Sequence, residues 1–131
     1  MKSLDEILKL ENPSKYLYEH AYKNGQLKSK WEKLLLLLGD PFWLYRYTRY
    51  VIKDRWPEAE EYIKKSPEWA YWYTYHIIKG RWEEAEEYIK KTPRWAYYYA
   101  RHIIKRKWFE AEEYIKKNPY WWIEYYRNIY R

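Results

Sequence analysis

The chain has 131 residues, a net charge of +7 and no cysteine, and 24% of it is aromatic, with 10 Trp and 19 Tyr. Without cysteine there is no disulfide framework, no thiol nucleophile and no Cys-type zinc site. Its longest aliphatic run is the leucine stretch at 34–38. A membrane-spanning helix needs about 20 apolar residues, and the start MKSLDEILKL is acidic where a secretory leader is basic. The expectation is therefore a cytoplasmic protein with no membrane partner, folded as a single domain over 1–131.

A tandem repeat orders the chain. Residues 1–29 hold a faint first unit: a short irregular helix with Leu4, Ile7, Leu8 and Leu10, then Asn12-Pro13. Residues 30–54, KWEKLLLLLGDPFWLYRYTRYVIKD, are a diverged second unit with Asp40-Pro41. Units 55–80 and 81–106 agree at 19 of 26 positions and carry Ser66-Pro67 and Thr92-Pro93. Unit 107–131 closes the series with Asn118-Pro119. Asn, Asp, Ser and Thr accept backbone N–H bonds at a helix N-cap, and proline at the next position loses no bond. Each pair thus predicts the start of a longer helix. A shorter helix precedes it, about 56–65 in the third unit, with glutamates early and lysines late. Glu60→Lys64, Glu61→Lys65, Glu86→Lys90, Glu87→Lys91, Glu112→Lys116 and Glu113→Lys117 are spaced for i,i+4 pairing. Gly80 is placed to end the longer helix in a left-handed cap. The predicted fold is all-α, an α-solenoid of about five helix-turn-helix hairpins of period 26, tetratricopeptide-like in its logic only.

On a helical wheel Ala70, Tyr73, Thr74 and Ile77 share one face, flanked by Trp69 and Ile78. The short helix adds Trp56, Ala59 and Ile63 to the core. The columns Trp43, Trp69, Trp95, Trp121 and Tyr47, Tyr73, Tyr99, Tyr125 recur in every unit and read as packing. In the last unit Trp122 and Tyr126 replace the small pair Ala96 and Ala100, as a cap would. The side of the longer helices away from this core varies between units. Its members Arg46, Arg49, Trp72, Tyr75, Arg94, Tyr98, Arg101 and Arg127 form the candidate binding surface. The four longer helices hold nine basic residues, Arg131 among them, against two acids, and 20 of the chain's 31 aromatic residues. Cations follow phosphates and rings stack on bases, so nucleic acid or a nucleotide is one possible ligand of this row.

Aligning Trp31 with Trp56 puts Leu34, Leu37 and Leu38 at core positions, and Leu35 and Leu36 at columns that hold glutamates elsewhere. Two leucines facing water imply either a cover from the N-terminal helix or a partner, including a homodimer through Leu35 and Leu36. No catalytic constellation is present. His76 and His102 share a column, the glutamates recur as surface pairs, and no phosphate loop or zinc-protease motif occurs. Neither an enzyme nor a cofactor or metal is expected.

The units VIKDRWPEAEEYIKKSPEWAYWYTYHIIK and IIKGRWEEAEEYIKKTPRWAYYYARHIIK resemble a family of short tandem repeats from large bacteriophages and other large DNA viruses. That family reads approximately V-I-K-G-R-W-P-E-A-E-x-x-I, then P-x-x-A-x-x-Y-A. The likeness covers about residues 41–131. Trp56-Pro57-Glu58-Ala59-Glu60 keeps the phrase in full, and Glu83 and Phe109 depart at the proline. The resemblance implies a viral helical-repeat protein and brings no activity and no binding residues. The function expected is non-enzymatic binding of a macromolecule, a host protein if the viral likeness holds. Nucleic-acid or nucleotide binding on the long-helix row and a structural or engineered repeat scaffold are the alternatives.

Overall fold

Proline at the first helical position fixes φ and gives up no hydrogen bond, so each acceptor–proline pair can start a helix. A computed structural model, which describes residues 1–130, has helices beginning at Pro13, Pro41, Pro67, Pro93 and Pro119. Arg131, counted above in the basic row, lies outside the described residues. The side chains of Asn12, Asp40 and Asn118 accept from the N–H groups of Lys15, Phe42 and Trp121 at 3.0, 3.0 and 3.3 Å. Ser66 and Thr92 sit at the cap with extended backbone but make no side-chain cap bond. At those two sites the proline sets the start and the hydroxyl does not.

The helices in chain order are α1 Leu4–Leu8, α2 Pro13–Asn24, α3 Ser29–Leu38, α4 Pro41–Tyr47, α5 Pro57–Ile63, α6 Pro67–Tyr73, α7 Glu83–Ile89, α8 Pro93–Tyr99, α9 Phe109–Ile115 and α10 Pro119–Ile129. The fold is all-α, with helices packed on their chain neighbours in the tandem-hairpin manner of an α-solenoid. Two compact units divide the chain, residues 1–63 and residues from 64 onward. In the first unit α2 packs on α1, α3 and α4, and α5 packs on α4. In the second, α6, α8 and α10 form a row; α7 packs on α6 and α8, and α9 on α8 and α10.

Helices α4, α6 and α8 each run on into one π-helical turn, Thr48–Ile52, Thr74–Ile78 and Ala100–Ile104. Lys53, Lys79 and Lys105 end these turns in the left-handed region, φ 60 to 63°, and donate to the carbonyl five residues back at 2.7 Å. The left-handed cap expected at Gly80 is therefore made one residue earlier by Lys79. Thr48 and Thr74 also donate their hydroxyls to Leu44 O and Ala70 O at 2.7 Å. Ala100 has no hydroxyl and its turn is π-helical all the same, so the threonines do not cause it.

In three hairpins one tyrosine closes the short helix on the long one. The Tyr99 hydroxyl accepts from the buried Trp82 N–H at 2.8 Å and donates to Glu86 Oε2 at 2.6 Å. Tyr125 does the same with Trp108 N–H and Glu112, and Tyr47 with Leu27 N–H and Glu32. Arg81 holds the Glu86 carboxylate from the other side through Nε and Nη2, at 2.9 and 2.7 Å, and Arg55 grips Glu60 with the same pair of bonds. So the repeated phrase Arg-Trp-x-x-Ala-Glu is a local device. Its Glu turns back to the Arg five residues earlier and, in Glu86, out to the long helix. Glu86 does not make the expected surface pair with Lys90. Glu112 takes hydroxyl bonds from both Tyr125 and Tyr130. The rings have a second task. Tyr47, Tyr73 and Tyr99 lie 5.2, 5.1 and 5.0 Å from Trp56, Trp82 and Trp108, each at the start of the following hairpin.

This geometry corrects the alignment of α3. Leu27 occupies the place of Trp82 and Trp108 under the tyrosine hydroxyl, and Glu32 the place of Glu86 and Glu112. Counting on from Glu32, Leu35 and not Leu38 falls in the column of Ile63. Leu35 is fully buried, as Ile63, Ile89 and Ile115 are. Leu36 is half-buried, and Leu37, expected in the core, is 80% exposed. Leu35 is thus no interface residue. The error came from pairing the two tryptophans, because α3 has ten residues where α5 has seven.

Candidate functional site

The candidate surface divides between the two units, and each part is built from rings lying on rings. In the first unit the Arg46 guanidinium stands 5.2 to 5.5 Å from the rings of Tyr18, Phe42 and Tyr50. Its Nε is buried without a hydrogen-bond partner among the described residues. Arg49 donates to the Tyr45 hydroxyl at 3.0 Å and lies over Tyr50 at 4.8 Å. Such cation-over-ring contacts contribute about 0.5–1 kcal/mol at exposed sites and more when desolvated. Both arginines are half-buried and already engaged.

In the second unit Trp72 is half-buried rather than open to solvent. It stacks on His76 at 15° and 5.5 Å and meets Tyr71 and Trp95 edge-on at 4.9 and 6.3 Å. Tyr98 stacks on His102 at 13° and 5.9 Å and touches Trp121 of α10 at 5.5 Å. The column of Trp72 and Tyr98 therefore lies at the joint between successive long helices, not on the far side from the core. Tyr75 keeps 45% exposure. Arg94 is exposed over the Trp95 ring at 4.9 Å. Arg101 is exposed and donates to the Tyr97 hydroxyl at 2.7 Å. Arg127 stands 3.4 Å from Glu124.

The wheel missed Tyr45, Tyr71 and Tyr97, a buried column one position on from Leu44, Ala70 and Ala96. Tyr71 packs on Trp95 and Tyr98 of α8, and its hydroxyl meets His102 Nδ1 at 3.0 Å. The Tyr97 hydroxyl accepts from Asn128 Nδ2 at 3.0 Å. Burial, with the neighbouring hydroxyls of Tyr75 and Tyr98 adding to it, pushes the Tyr71 phenol up to about 12. Burial and then the Arg101 charge push the His102 imidazole down from its ordinary value. For Glu86, burial raises the carboxyl, but the bonds from Arg81 and Tyr99 outweigh it and leave the group below its ordinary value. The missed column had a readable signal, the same residue at 45, 71 and 97 and a different one, Ile123, in the last unit.

Ile123 is where that column opens. In α10 the small pair Ala96 and Ala100 is replaced by Trp122 and Tyr126, and the buried tyrosine by Ile123. Ile123 is 54% and Tyr126 57% exposed, and with Trp122 and Arg127 they line a largely apolar concavity of about 490 Å³. Trp122 stacks on Tyr125 at 19° and 5.4 Å, with Lys116 Nζ 5.0 Å from its ring centroid. Tyr126 stacks on Tyr130 at 12° and 5.0 Å. These contacts hold the outward rings in fixed orientations.

Among the described residues no three His, Asp or Glu side chains converge as ligands for a metal ion, and no helix is long and apolar enough to cross a membrane. Comparisons of the chain with protein-family profiles, curated proteins and solved structures return no match.

Proposed function

We propose that the chain is a non-enzymatic binding protein that engages a protein partner through the outward face of α10. The observation that carries this reading is the pair Ile123 and Tyr126, exposed beside the half-buried Trp122 in columns that α6, α8 and their π-helical turns bury. A contiguous exposed apolar patch marks an interaction site. The partner fitting this face is an amphipathic helix with an apolar ridge at i, i+3 and i+7. Trp95 and Tyr98 of α8, with His102 in the π-helical turn that continues it, present that spacing to Tyr71. Another hairpin of the same kind does not fit, because Trp122 and Tyr126 fill the space that Ala96 and Ala100 leave for a close neighbour. The resemblance to viral repeats supports a host protein as the source of that helix and the host cytoplasm as the place.

Selection of a displayed library of amphipathic helices against the full chain tests this. Enriched peptides are expected to carry the apolar i, i+3, i+7 ridge and to lose binding to Ile123→Lys and Tyr126→Lys variants of unchanged helicity. No enrichment, or binders indifferent to both substitutions, refutes it. Nucleic-acid or nucleotide binding on the long-helix row draws on the charge of the second unit, 15 Lys and Arg against 9 Glu. Against it, Trp72 and Tyr98 already stack on His76 and His102, so each has one face taken.

A further inference from the structure

A group of the second unit's cations lies where α6 and α8 run out through their π-helical turns. Three concavities meet there and share Lys105. One, about 190 Å³, reaches Lys79 and Tyr75; the next, about 130 Å³, reaches Arg101 and Arg106; the largest, about 660 Å³, runs past Lys107 to Phe109. Among the residues lining them, Glu110 alone is acidic. Arg81 also reaches this edge, but its guanidinium is held by Glu86.

The largest concavity collects departures from an otherwise repeated frame. Arg106 stands where the earlier units have Asp54 and Gly80, and Phe109 where they have Pro57 and Glu83. Lys107 replaces Arg55 and Arg81. Those two arginines are tied to Glu60 and Glu86, whereas Lys107 lies over the Tyr130 ring at 4.1 Å, its corresponding Glu112 taking bonds from Tyr125 and Tyr130. Phe109 is 69% exposed. The frame requires neither its ring nor the extra cation at 106, since the preceding unit folds without them.

We infer that this edge, with Lys79, Arg101, Lys105, Arg106 and Lys107 along it and Phe109 beside it, is a binding groove for single-stranded nucleic acid. Cations in a row follow a phosphate backbone, and an exposed ring stacks on a base only when that base is unpaired. Five phosphate contacts on a single strand give a salt slope of about −3.5, or roughly a hundredfold loss of affinity from about 50 to 200 mM salt. One stacked base adds about fivefold or more to the affinity.

Fluorescence anisotropy of the full chain with a labelled oligothymidylate, and with an abasic strand of equal length, tests both parts. Arg106→Gly/Phe109→Glu restores the residues of the preceding unit and so keeps the fold, which circular dichroism checks. The inference expects salt-sensitive binding, at least about fivefold weaker binding of the abasic strand, and about tenfold or greater loss in the double variant. It is overturned if the oligothymidylate does not bind at about 50 mM salt, if the abasic strand binds equally, or if the variant binds as the parent does. Equal competition by polyglutamate also overturns it, because the groove would then read charge alone.

Discussion

Replacing Tyr99 with phenylalanine removes one oxygen and leaves the ring on Trp108. The loss is therefore confined to two hydrogen bonds, from Trp82 N–H at 2.8 Å and to Glu86 Oε2 at 2.6 Å. The Trp82 N–H is buried, and an orphaned buried donor costs about 1–3 kcal/mol. A hydrogen bond to a charged acceptor contributes about 1.5–3 kcal/mol, and Glu86 keeps its Arg81 pair, so the lower end applies. Together the change is about 3 kcal/mol, a fall in Tm on the order of 10 °C for a chain of this size. Urea unfolding followed by circular dichroism measures it, with an unchanged m-value showing that only stability has moved. Tyr75→Phe is the control, because that residue is exposed and its change should stay within about 0.5 kcal/mol. If Tyr99→Phe costs no more than Tyr75→Phe, the hydroxyl is not what closes the hairpin.

The α3 alignment is checked by Leu35→Ala, which should cost about 2–5 kcal/mol as a buried truncation, while Leu37→Ser should stay within about 0.5 kcal/mol. Equal effects in chemical denaturation would restore the tryptophan-based alignment. At the repeat boundary, Gly80→Ala meets open space without a positive φ and should stabilise by about 0.4–1 kcal/mol. Gly39→Ala, at φ +63° with the new Cβ 3.1 Å from Tyr62, should destabilise in the same thermal melts. The phenols of Tyr47, Tyr71, Tyr99 and Tyr125 are held above their ordinary value of 10, chiefly by burial. Their stabilisation is complete below pH 10 and is lost as pH rises through the folded values, about 12 for Tyr71. Tyrosinate absorbance should thus rise in two stages, the second coinciding with loss of helicity. A single rise near pH 10 with helices intact would contradict this.

The helix starts were legible because proline and the cap residues act locally, and five of them in register left little freedom. The tyrosine–glutamate closure was not, because Glu60 and Lys64 also satisfy an i,i+4 rule and nothing in one unit shows which partner a carboxylate takes. Tyr99 and Trp82 are 17 residues apart, a separation at which only the fold decides contact. The π-helical turns carry no residue signature, since threonine and alanine enter them equally. Each shifts the phase of the helix beyond it, and a fixed-period wheel places the last turn wrongly. Of the candidate surface, the wheel judged Trp72 and Tyr98 by one helix alone. A neighbouring helix half-covers both.

Tyr99 bonds its own hairpin through the hydroxyl and rests its ring on the first tryptophan of the next. Latch and hinge-pin are one side chain. Opening a single hairpin in the second unit therefore loosens its neighbour as well, which favours melting as a block over unzipping from an end. It also means that a duplicated 26-residue stretch arrives with both halves of the joint already cut, which is a physical reason for copies to accumulate with so few changes.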